Sequence, residues 1–257
     1  MSMADRVVRW STALDVLGVV LVRRRFPPWR DGCWALASWR CVRSDATPRE
    51  VRLAWRRSPP GRGSALAPCT GGTAYEGLVD RGRLQAGETA LITAAAGGVG
   101  SAAVQIAAAA GARVVAVASP PNHDYLLSLG VGEVFDYHAP DWTQQVRAVV
   151  PGGVDLLFDG AGGQTRDQAL AAVRDGGRAI SIVLQGTPLQ LERGITGESF
   201  AAHGGRPRLE QLAALVDSGK LRPQAETVLP LDQAREALAR VAAGHTRGKI
   251  ALQIGAR

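Results

Sequence analysis

The sequence has few cysteines, few aromatic residues and no long uninterrupted apolar run. Its three cysteines, Cys33, Cys41 and Cys69, are too few and too irregularly spaced for a disulfide framework or a four-cysteine zinc site. No apolar stretch reaches the roughly 18 residues that a membrane helix needs. Residues 13–22, ALDVLGVVLV, have the outline of a signal-peptide core, but Asp15 interrupts them and Arg23, Arg24 and Arg25 stand where a small-residue cleavage site belongs. The expectation is a cytoplasmic protein. Histidine is scarce: His123, His138, His203 and His245 are scattered and show no ligand spacing, so no metal is expected. Lysine is missing from the first 63 residues, which carry thirteen arginines against five acidic residues and hold five of the six tryptophans. The whole +7 net charge therefore sits in the first quarter of the chain.

What is present divides near Gly61–Ser64, after the breaker Pro59-Pro60-Gly61. Residues 1–63 form an atypical arginine- and tryptophan-rich region, 64–207 a candidate nucleotide-binding domain, and 208–257 a C-terminal segment. With 46% hydrophobic and 21% charged residues, the chain has the composition of a soluble globular protein. The middle part alternates apolar runs with helical stretches. Strands are predicted at 88–93, 113–118, 133–136, 154–159 and 178–183, with helices at 98–110, 122–129, 141–150 and 165–173 between them. Short apolar strands separated by crossover helices indicate an α/β fold, a Rossmann-type doubly wound parallel sheet. Helices at 208–217 and 231–243 and a last strand at 249–254 need not join that sheet.

The first strand runs into LITAAAGGVGSAAVQIA, with the spacing Ala95-x-Gly97-x-x-Gly100. This is a dinucleotide fingerprint whose first glycine has become alanine. The residue at 95 is expected to turn the chain sharply, Gly97 to let a pyrophosphate approach the backbone, and Gly100 to let the helix pack closely on the strand. The helix N-terminus then offers N–H groups and a favourable dipole to an anion. After the second strand, where an NAD-preferring protein usually places an acid, the chain reads Ser119-Pro120-Pro121-Asn122-His123, with no acid before Asp124. A hydroxyl, an amide and an imidazole can donate to a 2'-phosphate, which favours NADPH over NADH. An ordinary loop with a helix cap at Asn122 would be compatible with either.

The segments GGTAYEGLVDRGRLQAGETALITAAAGGVGSAAVQIA, SLGVGEVFDYHAPDW, GGVDLLFDGAGG, GGRAISIV and HTRGKIALQIG give the chain a more specific likeness. From Cys69 onward it resembles the zinc-free branch of the medium-chain dehydrogenase/reductase superfamily, the NADPH-dependent quinone oxidoreductases and enoyl reductases. The resemblance implies that Thr73 lies near the nicotinamide, and that Ala95, Gly97, Gly98, Val99 and Gly100 form the pyrophosphate turn. It implies Ser119 near the 2'-phosphate, with a family lysine replaced at about Asn122 unless His123 substitutes. Tyr137 would lie at the adenosine phosphate; Gly160, Ile182 and Val183 would flank the nicotinamide ribose and ring. None of these is an acid-base residue, as suits hydride chemistry performed by a cofactor.

Members of that family carry a β-rich catalytic domain of over a hundred residues ahead of the segment matching GGTAYEGL, where this chain has about seventy. Residues 1–63 can be read as a remnant, as a shortened folded cap, or as a binding element, since arginines interleaved with aromatics suit phosphate contacts and stacking. No recognisable nucleic-acid module accompanies them. Two functional classes stay open. One is a zinc-independent, NADPH-dependent reductase of quinones or activated carbon–carbon double bonds, acting on a small-molecule substrate. The other is a nucleotide-binding remnant without a complete substrate domain. A homo-oligomer could form through a strand edge near Ala179–Val183.

Overall fold

The computed structural model describes residues 19–23, 67–183, 189–203, 206–244 and 246–254. The predicted boundary at 61–64 lies outside these residues. So do Cys33, Cys41, His245 and all five N-terminal tryptophans. In chain order the strands are β1 (Val19–Arg23), β2 (Thr89–Ile92), β3 (Arg113–Val117), β4 (Glu133–Phe135), β5 (Val154–Asp159), β6 (Val173–Ser181), β7 (Thr196–Ser199), β8 (Ala225–Pro230) and β9 (Lys249–Ile254). The α-helices of six residues or more are α1 (Gly98–Ala109), α2 (His123–Ser128), α3 (Trp142–Val149), α4 (Gly163–Ala172), α5 (Arg206–Asp217) and α6 (Ala234–Ala242). The chain divides into two compact units, one spanning Thr73–Ala202 and one holding the described residues before and after it.

The larger unit is a six-stranded sheet in the order β4-β3-β2-β5-β6-β7 with every neighbouring pair parallel. This is the doubly wound order, and the direction of winding reverses between β2 and β5, the crevice where such folds take their ligands. The reason these segments become interior strands is legible in their residues. All of β2 (TALI) is buried, and in β5 (VDLLFD) only Asp155 is partly exposed. Successive side chains point to opposite faces, so strands apolar throughout must be covered on both. Helix α1 is buried from Gly100 to Ala107. Its alanines favour the helix and keep it thin, and its two long polar needs are met internally, Ser101 Oγ donating to the Gly98 carbonyl and Gln105 Nε2 to that of Ser101. Trp142, 1% exposed, anchors α3 in the main apolar cluster and donates its indole N–H to Gln168 on α4.

Two expectations are corrected here. The predicted strand at 178–183 begins earlier, at Val173, through the glycine pair Gly176-Gly177, and ends at Ser181. Its far side is not an open edge over most of that stretch: β7 pairs along it from Arg178↔Thr196 to Ser181↔Ser199. β7 (TGES) is exposed throughout and carries no apolar run, which is why it is invisible as a pattern.

In the smaller unit β9 lies between β1 and β8, all parallel. Ile250, Leu252 and Ala237 are buried, with Leu229, Ala234, Leu238 and Val241 packed around them, so α6 covers the sheet formed by the strands on either side of it in the chain. Helix α5 packs on the helical segment Ala67–Gly71, where a side-chain carbon at Gly71 would stand 3.0 Å from Leu212 Cδ2. Gly248, at φ +65°, precedes β9; a Cβ there would meet the Gln224 carbonyl oxygen at 2.4 Å.

Candidate functional site

The turn from β2 into α1 is shaped by contacts that exclude side chains. A Cβ on Gly100 would lie 2.2 Å from the Ala94 carbonyl oxygen and 2.7 Å from Ala95 Cα, so only glycine fits. A Cβ on Gly97 would lie 3.3 Å from the same oxygen, a tight but survivable contact. Gly97 has φ −72° and ψ 177°, a conformation any residue adopts; a glycine here serves close approach rather than backbone freedom. The sharp turn falls one residue earlier than expected. Ala94 has φ +50° and is exposed, whereas Ala95 is fully buried and donates its N–H to the Val117 carbonyl at the end of β3. An alanine held in the left-handed region costs on the order of 1–2 kcal/mol. Gly97, Gly98 and Val99 are half-buried at the start of α1, where the first N–H groups of a helix have no acceptor within it. A bare backbone, an exposed turn and outward N–H groups are what a pyrophosphate requires, and the residues present fit one.

The neighbouring strand ends are locked to this turn by a network that sequence reasoning missed. Asp159, the last residue of β5, is fully buried. One carboxylate oxygen accepts from Thr93 Oγ1 at 2.7 Å and from the N–H groups of Ala161 and Gly162 at 3.1 Å each. The other accepts from Ser181 Oγ at 2.7 Å. Thr93 Oγ1 in turn accepts the Gly160 N–H at 3.0 Å, and Ser181 Oγ accepts that of Val183 at 3.1 Å. One carboxylate thus joins the C-terminal ends of β2, β5 and β6. The apolar runs LIT, LFD and AIS each end on a residue that can hydrogen-bond, but nothing in the sequence pairs those ends with one another.

This network brings together the residues expected at the nicotinamide end. A Cβ on Gly160 would have the Thr93 carbonyl oxygen, Ala94 Cβ and Ile182 Cδ1 within 3.4 to 3.7 Å. Gly162, at φ +69°, lies against Val183, whose Cγ1 would stand 2.9 Å from an added Cβ. Thr73 is half-buried, one helical turn before Gly77, and Gly77 packs on Phe158 of β5, leaving only 2.4 Å for a Cβ before the Phe158 ring.

Past β3, Ser119, Asn122 and His123 form one cluster. Asn122 Nδ2 donates to Ser119 Oγ at 3.1 Å, and its backbone N–H donates to the Ser119 carbonyl. His123 Nε2 donates to the Ala118 carbonyl at 3.1 Å. Tyr137 packs against the main apolar cluster and lies 4.0 Å from the His138 ring, centroid to centroid. Beside it the Asp136 carboxyl is held below the usual carboxylate range, chiefly because the His138 N–H donates to it, with the His138 ring and the more distant His123 adding to the effect and burial opposing. Among the described residues no group of three or more histidines, cysteines and acids is arranged to hold a metal, and no helix is long and apolar enough to cross a membrane.

Comparison with known proteins adds a family context. Residues 129–252 match the model of the family described as zinc-binding dehydrogenase. The chain is 36% identical over 201 residues to the spectinabilin polyketide synthase system protein NorB of Streptomyces orinoci, covering 74% of this chain and 9% of that protein. It is 32% identical over 196 residues to the mouse (Mus musculus) protein NAD(P)H oxidoreductase RTN4IP1, mitochondrial, covering 65% of this chain and 48% of the relative. Among solved structures, the CurK enoyl reductase superposes with a TM-score of 0.65 at 28% identity, covering 74% of this chain and 62% of the other. The chain thus spans less than two thirds of the length of each of these proteins.

Proposed function

Because the chain belongs to the medium-chain dehydrogenase/reductase superfamily, we propose that it is a zinc-independent, NADPH-dependent oxidoreductase that delivers hydride to a quinone or to an activated carbon–carbon double bond. The observation that carries this reading is the β2–α1 turn, whose Gly100 admits no side chain and whose Gly97 leaves the backbone bare beside the open N–H groups of α1. The relatives point the same way by name, one as an NAD(P)H oxidoreductase and one as an enoyl reductase.

A nicotinamide cofactor supplies the hydride when bound, and the chain's residues bind and orient it. The N–H groups of Gly98, Val99 and Gly100 would hold the pyrophosphate. The Asp159 network fixes the backbone of Gly160 and Val183. A glycine at 160 would leave the nicotinamide side open, while Ile182 and Val183 would give the ring an apolar wall.

Fluorescence titration of the purified chain with NADPH and NADH, followed by turnover assays with quinones and enones, tests the reading. Gly97→Leu is expected to keep the fold and lose at least tenfold in cofactor affinity, roughly the cost of blocking one close approach. Equal affinity in the variant would overturn the placement of the cofactor. Binding without turnover on any such acceptor would leave a nucleotide-binding protein that is no reductase.

A further inference from the structure

Resting on the reading that the β2–α1 turn holds a nicotinamide dinucleotide, we propose that Ser181 is a positioning residue for hydride transfer. Its hydroxyl holds the wall formed by Ile182 and Val183, so the seating of the nicotinamide ring depends on Ser181 while the anchoring of the rest of the cofactor does not.

Ser181 ends β6 fully buried, paired with Asp159 of β5 on one side and with Ser199 of β7 on the other. A hydroxyl is the smallest side-chain group that gives one hydrogen bond and accepts another. Both capacities are used here. The Asp159 carboxylate can only accept, so it takes the hydroxyl proton at 2.7 Å, and the same oxygen then offers a lone pair to the Val183 N–H at 3.1 Å. Ile182 is tied separately, its N–H donating to the Asp159 main-chain carbonyl at 2.9 Å. Of the two wall residues, Val183 is thus the one whose backbone N–H relies on a side chain. Alanine at 181 removes that support and leaves the Ile182 bond in place.

The outer support of β6 keeps the effect local. The Phe200 N–H donates to the Ser181 carbonyl at 3.0 Å, so the Ser181 backbone is held whether or not its hydroxyl is present. β7 is itself moored by Arg81. Nη1 of Arg81 donates to the Glu198 carboxylate at 2.8 Å and Nε to that of the buried Glu76 at 2.9 Å, while the guanidinium lies 4.6 Å from the centre of the Phe200 ring. The second hydroxyl on the Asp159 carboxylate, that of Thr93, accepts from Gly160 and Ala161 instead. The two hydroxyls therefore hold different stretches of backbone, and only the Ser181 arm reaches the wall. Hydride transfer is sensitive to such support, because a displacement of about 1 Å between reacting atoms can cost on the order of 100-fold in rate.

The test separates the ring from the rest of the cofactor. NADPH and 2'-phospho-ADP-ribose, the same molecule without its nicotinamide, are titrated by calorimetry against the full chain. The wild type is expected to bind NADPH more tightly than the fragment. In Ser181→Ala the fragment should keep its affinity while NADPH weakens about fivefold, roughly the worth of one hydrogen bond. Ser181→Thr, which keeps the hydroxyl, should restore the preference for NADPH. Equal weakening of both ligands in Ser181→Ala, including a variant too unfolded to bind either, makes the residue merely structural and overturns the proposal. So does unchanged NADPH affinity in Ser181→Ala, or a Ser181→Thr that behaves like alanine. A wild type that binds the fragment as tightly as NADPH also overturns it, while the binding site stands. If neither ligand binds the wild type, the site reading fails and takes the proposal with it.

Discussion

The two sheets of this protein hide their strands differently. In the six-stranded sheet β2 is buried along its whole length and β5 nearly so, whereas in the three-stranded sheet β8 is half-buried or exposed at every residue and β9 supplies the buried positions Ile250, Ala251 and Leu252. Both sheets are parallel, and a parallel sheet is stable only where its faces are covered. The larger unit carries its cover in its own helices and has a long apolar cluster to spend on a buried carboxylate. Among the described residues, the cluster on the smaller sheet is Ala237, Ile250 and Leu252 with a few aliphatic neighbours. A polar hub that one sheet tolerates would be ruinous in the other.

Substitutions in each unit can break this contrast. Asp159→Ala strands four donors in the interior of the larger unit and should cost about 4 kcal/mol. Chemical denaturation should show that loss, while hydrogen exchange in β8 and β9 stays at the wild-type rate. If exchange there accelerates equally, the two units unfold as one. Leu252→Ala removes a fully buried side chain from the small core, with an expected cost of about 3 kcal/mol. Its signature is faster exchange confined to β8 and β9, and protection lost in β2 or β5 would contradict the division.

The smallest expected effect is at the far end of the large sheet. Asp155 is partly buried, which raises its pKa, but the Thr89 N–H at 2.8 Å and Arg174 Nε at 2.6 Å outweigh that and hold its carboxyl below the usual carboxylate range. A depressed carboxyl contributes stability above its unfolded pKa and loses it as the pH falls through the folded one. Asp155→Asn should therefore cost about 1 kcal/mol at neutral pH. The difference from wild type should begin to shrink as unfolding curves are taken below about pH 4 and should vanish only beneath the depressed folded value.

The doubly wound sheet was legible because its strands are continuous apolar runs, and the strand-turn-helix at Gly97 and Gly100 because close helix-on-strand packing calls for glycine. β7 and β8 were not legible. TGES contains no apolar side chain, and AETVLP alternates too weakly to mark a buried face. The site was legible where it depends on missing side chains, at Gly97 and Gly100. It was illegible where it depends on residues distant in the chain, since nothing in LIT or LFD says that Thr93 and Asp159 will bond across 66 positions. Ala94 illustrates a third kind of miss, a strained residue one place before the position that the fingerprint marks.

That separation also dictates when the crevice can come into being. β2 has β5 as its neighbour, and Thr93 leaves the ribosome long before Asp159 is added. At 5–20 residues per second the interval is about 3–13 s, far longer than a helix such as α1 needs to form. The crevice between β2 and β5 therefore cannot exist until translation has passed Asp159, and until then the flank of β2 that β5 covers lacks its partner strand.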